Sequence, residues 1–222
     1  MTDEEIILGG ILGAGLGYIL GNNPYTEWKG FIDKVGERVN HLAFMKIVIP
    51  QGLFSEIPNC QEIYAESVRS FAYGLPNASI PLLYKCLELG LRKKYEDAES
   101  KSTLIEIAQK KSSKDLNGYQ LIDWAEQYLG NKKELAQGFR IIRNILHEDA
   151  VILEQEVLLA MYNISQIINI LFPYQTASIS FNCRMCKRPE TTRIPAEQNF
   201  LGNVLLISCM NCRTSSNIRI FV

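Results

Sequence analysis

Arg140-Ile141-Ile142-Arg143-Asn144-Ile145-Leu146-His147-Glu148 is the stretch from which the fold is read, because it lies inside a longer helical pattern and carries a polar face of its own. Residues three, four and seven apart share one side of an α-helix, so Arg140, Arg143, Asn144 and His147 project together while Ile141, Ile145 and Leu146 turn mostly elsewhere. The cluster joins two cations, an amide and an imidazole whose titration falls near neutral pH. Two roles suit it. The face can bind an anionic ligand, or its arginines can pair with carboxylates of neighbouring helices, such as Glu66, Glu88 or Asp149, with the histidine in a structural network.

The helical periodicity continues on both sides. Downstream, residues 152–172 read as a long helix rich in Leu, Ile, Met and Val that Pro173 ends. Upstream, short helices are expected at 102–111 and at 118–129, the second carrying Leu121, Ile122, Trp124, Ala125 and Leu129 and stopped by Gly130-Asn131. Before them, Pro81 is read as opening a helix through Leu82, Leu83, Cys86, Leu87, Leu89 and Leu91, and Ile63, Val68, Phe71 and Ala72 mark another after Pro58. Residues 46–58, with Pro50, Gly52 and Pro58, read as a connection or a short strand. Residues 25–45 form a helix of mixed faces (Trp28, Phe31, Ile32, Val35, Val39, Leu42) behind Pro24, with His41 read as a packed side chain. Some six helices joined by short connections, without period-two stretches, predict a mainly α protein with a helical bundle over residues 25–173.

The 222 residues suit such a body plus a small module, and 47% hydrophobic residues can bury a real core. A formal net charge of −1 gives no global attraction to nucleic acid or membrane. The charge is unevenly spread. Residues 180–222 set Arg184, Lys187, Arg188, Arg193, Arg213 and Arg219 against Glu190 and Glu197, which leaves four excess positive charges there and minus five over the rest.

Residues 1–24 form an apolar glycine-zipper segment in which Gly9, Gly13, Gly17 and Gly21 recur every fourth position. On a helix they make a smooth stripe that admits another helix closely, so self-association into a homo-oligomer is expected. The apolar run is short of a membrane crossing, at roughly 22 Å against about 30 Å of hydrocarbon. Membrane contact through residues 6–21 is the alternative. Asp3, Glu4 and Glu5 stand where a signal peptide carries positive charge, so a cytoplasmic protein is expected. No Gly-Lys-Ser/Thr follows these glycines, and His-Glu-x-x-His and Gly-x-Ser-x-Gly are absent from the chain.

The order Ile57-Pro58, Tyr64-Ala65-Glu66-Ser67, Ala72-Tyr73-Gly74, Leu87-Glu88, Leu91, Leu104-Ile105, Leu121-Ile122 and then the Arg140 to Glu148 stretch resembles a HEPN-type (higher eukaryotes and prokaryotes nucleotide-binding) helical domain. The resemblance covers roughly residues 50–173. Within that group it is similar to a poorly characterised prokaryotic branch often encoded beside restriction and other defence genes. Catalytic members of the superfamily join an Arg, four to six residues and a His into a metal-independent endoribonuclease site across a dimer, commonly with a polar residue after the Arg. This chain departs from that pattern. Arg143-Asn144 supplies the Arg-polar pair but leaves three residues before His147; Arg140 has six before His147 but lacks the polar neighbour. The branch resembled includes members without nuclease activity. The resemblance therefore implies a nucleic-acid- or nucleotide-binding or interaction module, with a prokaryotic defence system as its setting, and an endoribonuclease using Arg140, Arg143, Asn144 and His147 as the alternative.

At the other end stand Cys183-Arg-Met-Cys186 and, twenty-two residues on, Cys209-Met-Asn-Cys212. Paired Cys-x2-Cys knuckles at this separation are the ligand set of a zinc ribbon, since each knuckle presents two thiolates and a tetrahedral ion takes four. Two disulfides or a redox pair are the alternatives; the missing secretory signal and the doubled spacing favour a metal. Iron suits the same four thiolates. A site closed by four ligands is structural, and a module of residues 174–222 with so little core needs the metal to fold. Residues 178–181, 204–208 and 217–222 read as strands of one small antiparallel sheet. The basic residues with Phe181, Phe200 and Phe221 suit contact with RNA or another nucleic acid, or with a protein partner. Cys60 and Cys86, among apolar helix positions, read as reduced core residues.

Overall fold

The computed structural model describes residues 24–99, 112–145 and 152–220; at 24–27 and 142–145 the backbone alone is described. The glycine stripe of residues 9–21, the helix expected at 102–111, Leu146, His147, Glu148, Asp149 and Phe221 lie outside the described residues. The chain divides into two compact units, residues 1–34 and 35–222. In the first, the described part is the opening of helix α1 (Pro24–Phe44), where Trp28 and Phe31 meet edge to face with ring centroids 6.2 Å apart.

The second unit is mainly α, with small antiparallel hairpins at its carboxy-terminal end. Helix α2 is Gln51–Glu56, α3 Asn59–Ala72 and α4 Pro76–Glu99; α5 is Gly118–Trp124, α6 Glu126–Leu129, α7 Lys133–Ile145 and α8 Glu154–Leu171. Helices α3, α4 and α8 form the centre. Each buries residues at the three- and four-residue spacing that keeps one side of a helix inward: Cys60, Tyr64, Val68 and Phe71 on α3; Ile80, Leu83, Leu87 and Leu91 on α4; Val157, Met161, Ile164, Ile168 and Leu171 on α8. Several hydroxyls inside the core are matched, whereas both polar side-chain atoms of Asn169 on α8 are buried without a partner among the described residues. Tyr64 shares a 2.7 Å hydrogen bond with Ser165 across α3 and α8, while the hydroxyls of Ser67 and Ser79 each donate to the other residue's carbonyl at 2.9 Å. Lys94 closes the end of α8 by donating to the Leu171 carbonyl at 2.9 Å.

Several expectations from sequence need correction. Helix α4 begins at Pro76, and Pro81 lies inside it, near enough to the amino terminus that the backbone bond its ring forfeits is one of the first. Residues 46–58 contain α2, whose Gly52 lies so near α8 that a Cβ there would come within 2.1 Å of the Phe172 carbonyl oxygen. The helix read over 118–129 is two helices broken at Ala125; Gly130, with φ +52°, ends the second as expected. His41 is exposed rather than packed, because the buried residue of that turn is Leu42. Cys60 and Cys86 are fully buried and free.

The β region is two hairpins rather than one sheet. Strand β1 (Thr176–Asn182) pairs with β2 (Pro189–Pro195), and β3 (Val204–Ser208) with β4 (Ser215–Arg219). Sequence reading missed β2, which is bounded by prolines and built mainly from polar residues. A backbone seam joins the β region to the bundle. Val48 bridges Phe200, the Ile49 N–H donates to the Asn199 carbonyl at 2.9 Å, the Leu201 N–H donates to Ile47 at 3.0 Å, and the Tyr174 hydroxyl donates to Ile49 at 2.7 Å. Leu201, Ile194 and Ile220 thereby enter the same buried cluster as the helices.

Candidate metal centre and the α7 face

Each Cys-x2-Cys turn folds in the same way. The Lys187 N–H donates to the Cys183 carbonyl and the Arg213 N–H to the Cys209 carbonyl, both at 2.9 Å; Cys183 N–H donates to Arg188 at 2.9 Å and Cys209 N–H to Thr214 at 3.0 Å. The residue after each second cysteine, Lys187 or Arg213, has φ +59°, a left-handed conformation that side chains other than glycine's disfavour. These turns bring four sulfurs together. Cys183 and Cys212 Sγ are 3.6 Å apart, Cys186 and Cys209 Sγ 3.7 Å, and all four lie within 4.8 Å of one another.

Those separations decide between the alternatives. A disulfide holds its sulfurs about 2.05 Å apart, and all six cysteines are free. Four sulfurs 2.3 Å from a tetrahedral ion have edges of about 3.8 Å. The quartet therefore fits a metal ion.

The surrounding donors act on the thiols as a metal site requires. The Arg188 amide lowers Cys186, and the Thr214 hydroxyl and amide hold Cys212 down at about 6, so the local donors favour the thiolate form at both second cysteines. Cys209 goes the other way. Although the Cys212 amide lowers it, burial and its hydrogen bond to Glu190 Oε1 at 3.3 Å push it up to about 12.

No family model, curated protein or solved structure matches this chain. Its chemistry has to be read from its own geometry.

The sequence-read site on α7 is described in part. Arg143 and Asn144 lie on the α7 backbone, while His147 is outside the described residues. Arg140 is half-buried; its Nε donates to Gln137 Oε1 at 3.2 Å, and its guanidinium carbon stands 5.5 Å from the centroid of the Tyr119 ring. Gln137 holds both partners, since its Nε2 also donates to the Tyr119 carbonyl at 3.4 Å. Tyr119 itself is 52% exposed. Among the described residues Arg140 makes no ion pair; of the carboxylates offered as partners of Arg143 and His147, whose side chains lie outside the described residues, Glu66 meets Arg69 at 2.9 Å and Glu88 meets Arg92 at 2.7 Å.

Tyr119 escaped sequence reading because it belongs to another helix. Its position on the first turn of α5 is set by Asn117 and Gln120, which cap each other's backbone N–H at 3.0 Å. That Asn-x-x-Gln spacing was the signal available for the turn. Of the phenylalanines proposed for the β region, Phe181 and Phe200 are half-buried, Phe200 within the seam to the bundle. No described helix is long and apolar enough to cross a membrane.

Proposed function

We propose that the chain is a HEPN-like helical module that binds nucleic acid or nucleotides through the α7 face, with a structural zinc ion held by Cys183, Cys186, Cys209 and Cys212. The observation that carries the binding reading is Arg140: a guanidinium oriented by Gln137 over an exposed tyrosine, with no carboxylate partner among the described residues. Phosphate suits that fork of donors, and the open part of the Tyr119 ring suits a base stacked upon it. Arg143, one turn along the same helix, would add a second cation to the face. Zinc is favoured by four thiolates in a closed tetrahedral cage, where it contributes folding energy rather than Lewis acidity.

The binding test is fluorescence anisotropy with single-stranded RNA carrying a 2-aminopurine. The expected result is saturable binding with quenching of the base, both weakened by Arg140→Ala and the quenching lost in Tyr119→Ala. Absence of binding at low salt would remove the reading. The uncommitted Arg140 also suits stabilisation of a phosphorane, which keeps the endoribonuclease alternative; cleavage of the same RNA in the presence of a chelator, lost in His147→Ala, would establish it. For the metal, elemental analysis of protein purified under reducing conditions should give about one zinc per chain, absent from Cys183→Ser.

A further inference from the structure

Three of the four most exposed large apolar side chains among the described residues, Met210, Leu206 and Met185, belong to the hairpin region. Met185 is 70% and Met210 86% exposed, and they are the chain neighbours of Cys186 and Cys209, whose sulfurs are 3.7 Å apart. On the other side, Arg184 and Arg213 are the exposed neighbours of Cys183 and Cys212, whose sulfurs are 3.6 Å apart. The quartet thus brings the two turns that carry these methionines and arginines close to one another. The Arg188 guanidinium ties the two turns by donating to Asn211 Oδ1 at 2.9 Å. The apolar track continues along β3, whose outer face carries Leu206, 73% exposed, and Val204, 47% exposed, the latter opposite Arg219 in the register. Five residues of strand span about 16 Å, room for a short extended segment.

The left-handed residues single this end out. Non-glycine residues with positive φ among those described are Lys46, Lys187 and Arg213. Two of the three are therefore the cations that close the knuckles, at positions where a glycine would relieve backbone strain.

We infer that the metal end and the outer face of β3 form a docking surface for an acidic segment of a protein partner that also carries apolar side chains. Charge complementarity selects the acidic character, because Arg184, Lys187, Arg213 and Arg219 border the track and Glu190 is the one carboxylate among residues 180–195. The apolar part follows from the methionines, whose flexible thioethers adapt to aliphatic and aromatic partners alike. A nucleic acid fits less well. Among the described residues no aromatic side chain is exposed at this end to stack a base.

The test uses the full, zinc-loaded chain and three labelled probes: a Glu-Glu-Leu-Leu repeat peptide, a Glu-Glu-Ser-Ser repeat peptide of equal charge, and oligouridine. The leucine peptide should bind at least about tenfold more tightly than the serine peptide. Met185→Ser with Met210→Ser should remove that preference. Lys187→Gly with Arg213→Gly, which suits the backbone and keeps the fold, should weaken binding of both peptides and flatten its salt dependence while zinc content stays at one per chain. Equal binding of the two peptides, or of neither, would overturn the inference. So would oligouridine binding that falls in either double variant, which would make this end a nucleic-acid site, or glycine variants that lose zinc but not peptide, which would give the cations to the metal alone.

Discussion

Glu190 illustrates how one side chain sets the behaviour of a cluster it does not join. Its carboxylate lies 3.3 Å from Cys209 Sγ and accepts the thiol proton. When a metal displaces that proton, a carboxylate is left facing a thiolate. Glu190→Gln removes the repulsion and can offer an N–H to the sulfur, so the variant should give up a bound metal to a chelator several-fold more slowly; changes of ten- to a hundredfold are usual for groups contacting ligands. A chromogenic chelator followed over time measures it. Two glycines make a similarly local contrast. Alanine at Gly52 would drive its Cβ to 2.1 Å from the Phe172 carbonyl and should cost about 3 kcal/mol. Alanine at Gly138, within α7 and with nothing inside 4 Å, should instead gain up to about 1 kcal/mol. Thermal melts of the two variants should move in opposite directions.

Helices α3 and α8 are held in register by more than apolar contact. The Tyr64 hydroxyl is fully buried, and that burial raises it far above the usual tyrosine range despite its bond to Ser165. Tyr64→Phe should cost about 1–2 kcal/mol by leaving the serine hydroxyl without its partner, whereas Tyr64→Phe with Ser165→Ala should cost less than the two single changes added. Denaturant melts of the three variants form the cycle. These helices were legible in the sequence because their buried positions repeat every three or four residues over long stretches. The cysteine quartet was legible for another reason: each knuckle is a local turn, so spacing alone places its sulfurs. What was lost depends on partners distant in sequence. The Tyr119 and Gln137 support of Arg140 joins α5 to α7; β2 is a strand because β1 pairs with it, not because its polar residues favour one; and His41 is exposed because Leu42 takes the inward position of its turn.

The whole second unit shares one buried cluster, to which the hairpins contribute Ala177, Ile194, Leu201 and Ile220. Loss of the metal should therefore be felt beyond the cysteines. The Ile49 amide, bonded to the Asn199 carbonyl at 2.9 Å, is a reporter within the bundle side of the seam. On chelation its hydrogen exchange should accelerate by at least about tenfold, while amides at the centre of α4 change little. Equal protection of Ile49 with and without metal would show that the seam survives on apolar packing alone. The charge balance shifts as well. With four thiolates and a divalent ion in place, the excess of four positive charges in residues 180–222 would fall to about two.

The seam also bears on the order in which the chain assembles during synthesis. Tyr174 and Ile49, which it joins, are 125 positions apart. Closing a flexible loop of that length costs about 4 kcal/mol, and the cost falls away once the intervening helices have packed and drawn its ends together. The segment 47–49 must wait for a partner that leaves the ribosome after most of the bundle. Until then the Ile47 and Ile49 backbone groups, later paired with Leu201 and Asn199, have only water as a partner. Pairing of residues 47–49 with 199–201 thus becomes a late step of folding, reached after most of the helices are complete.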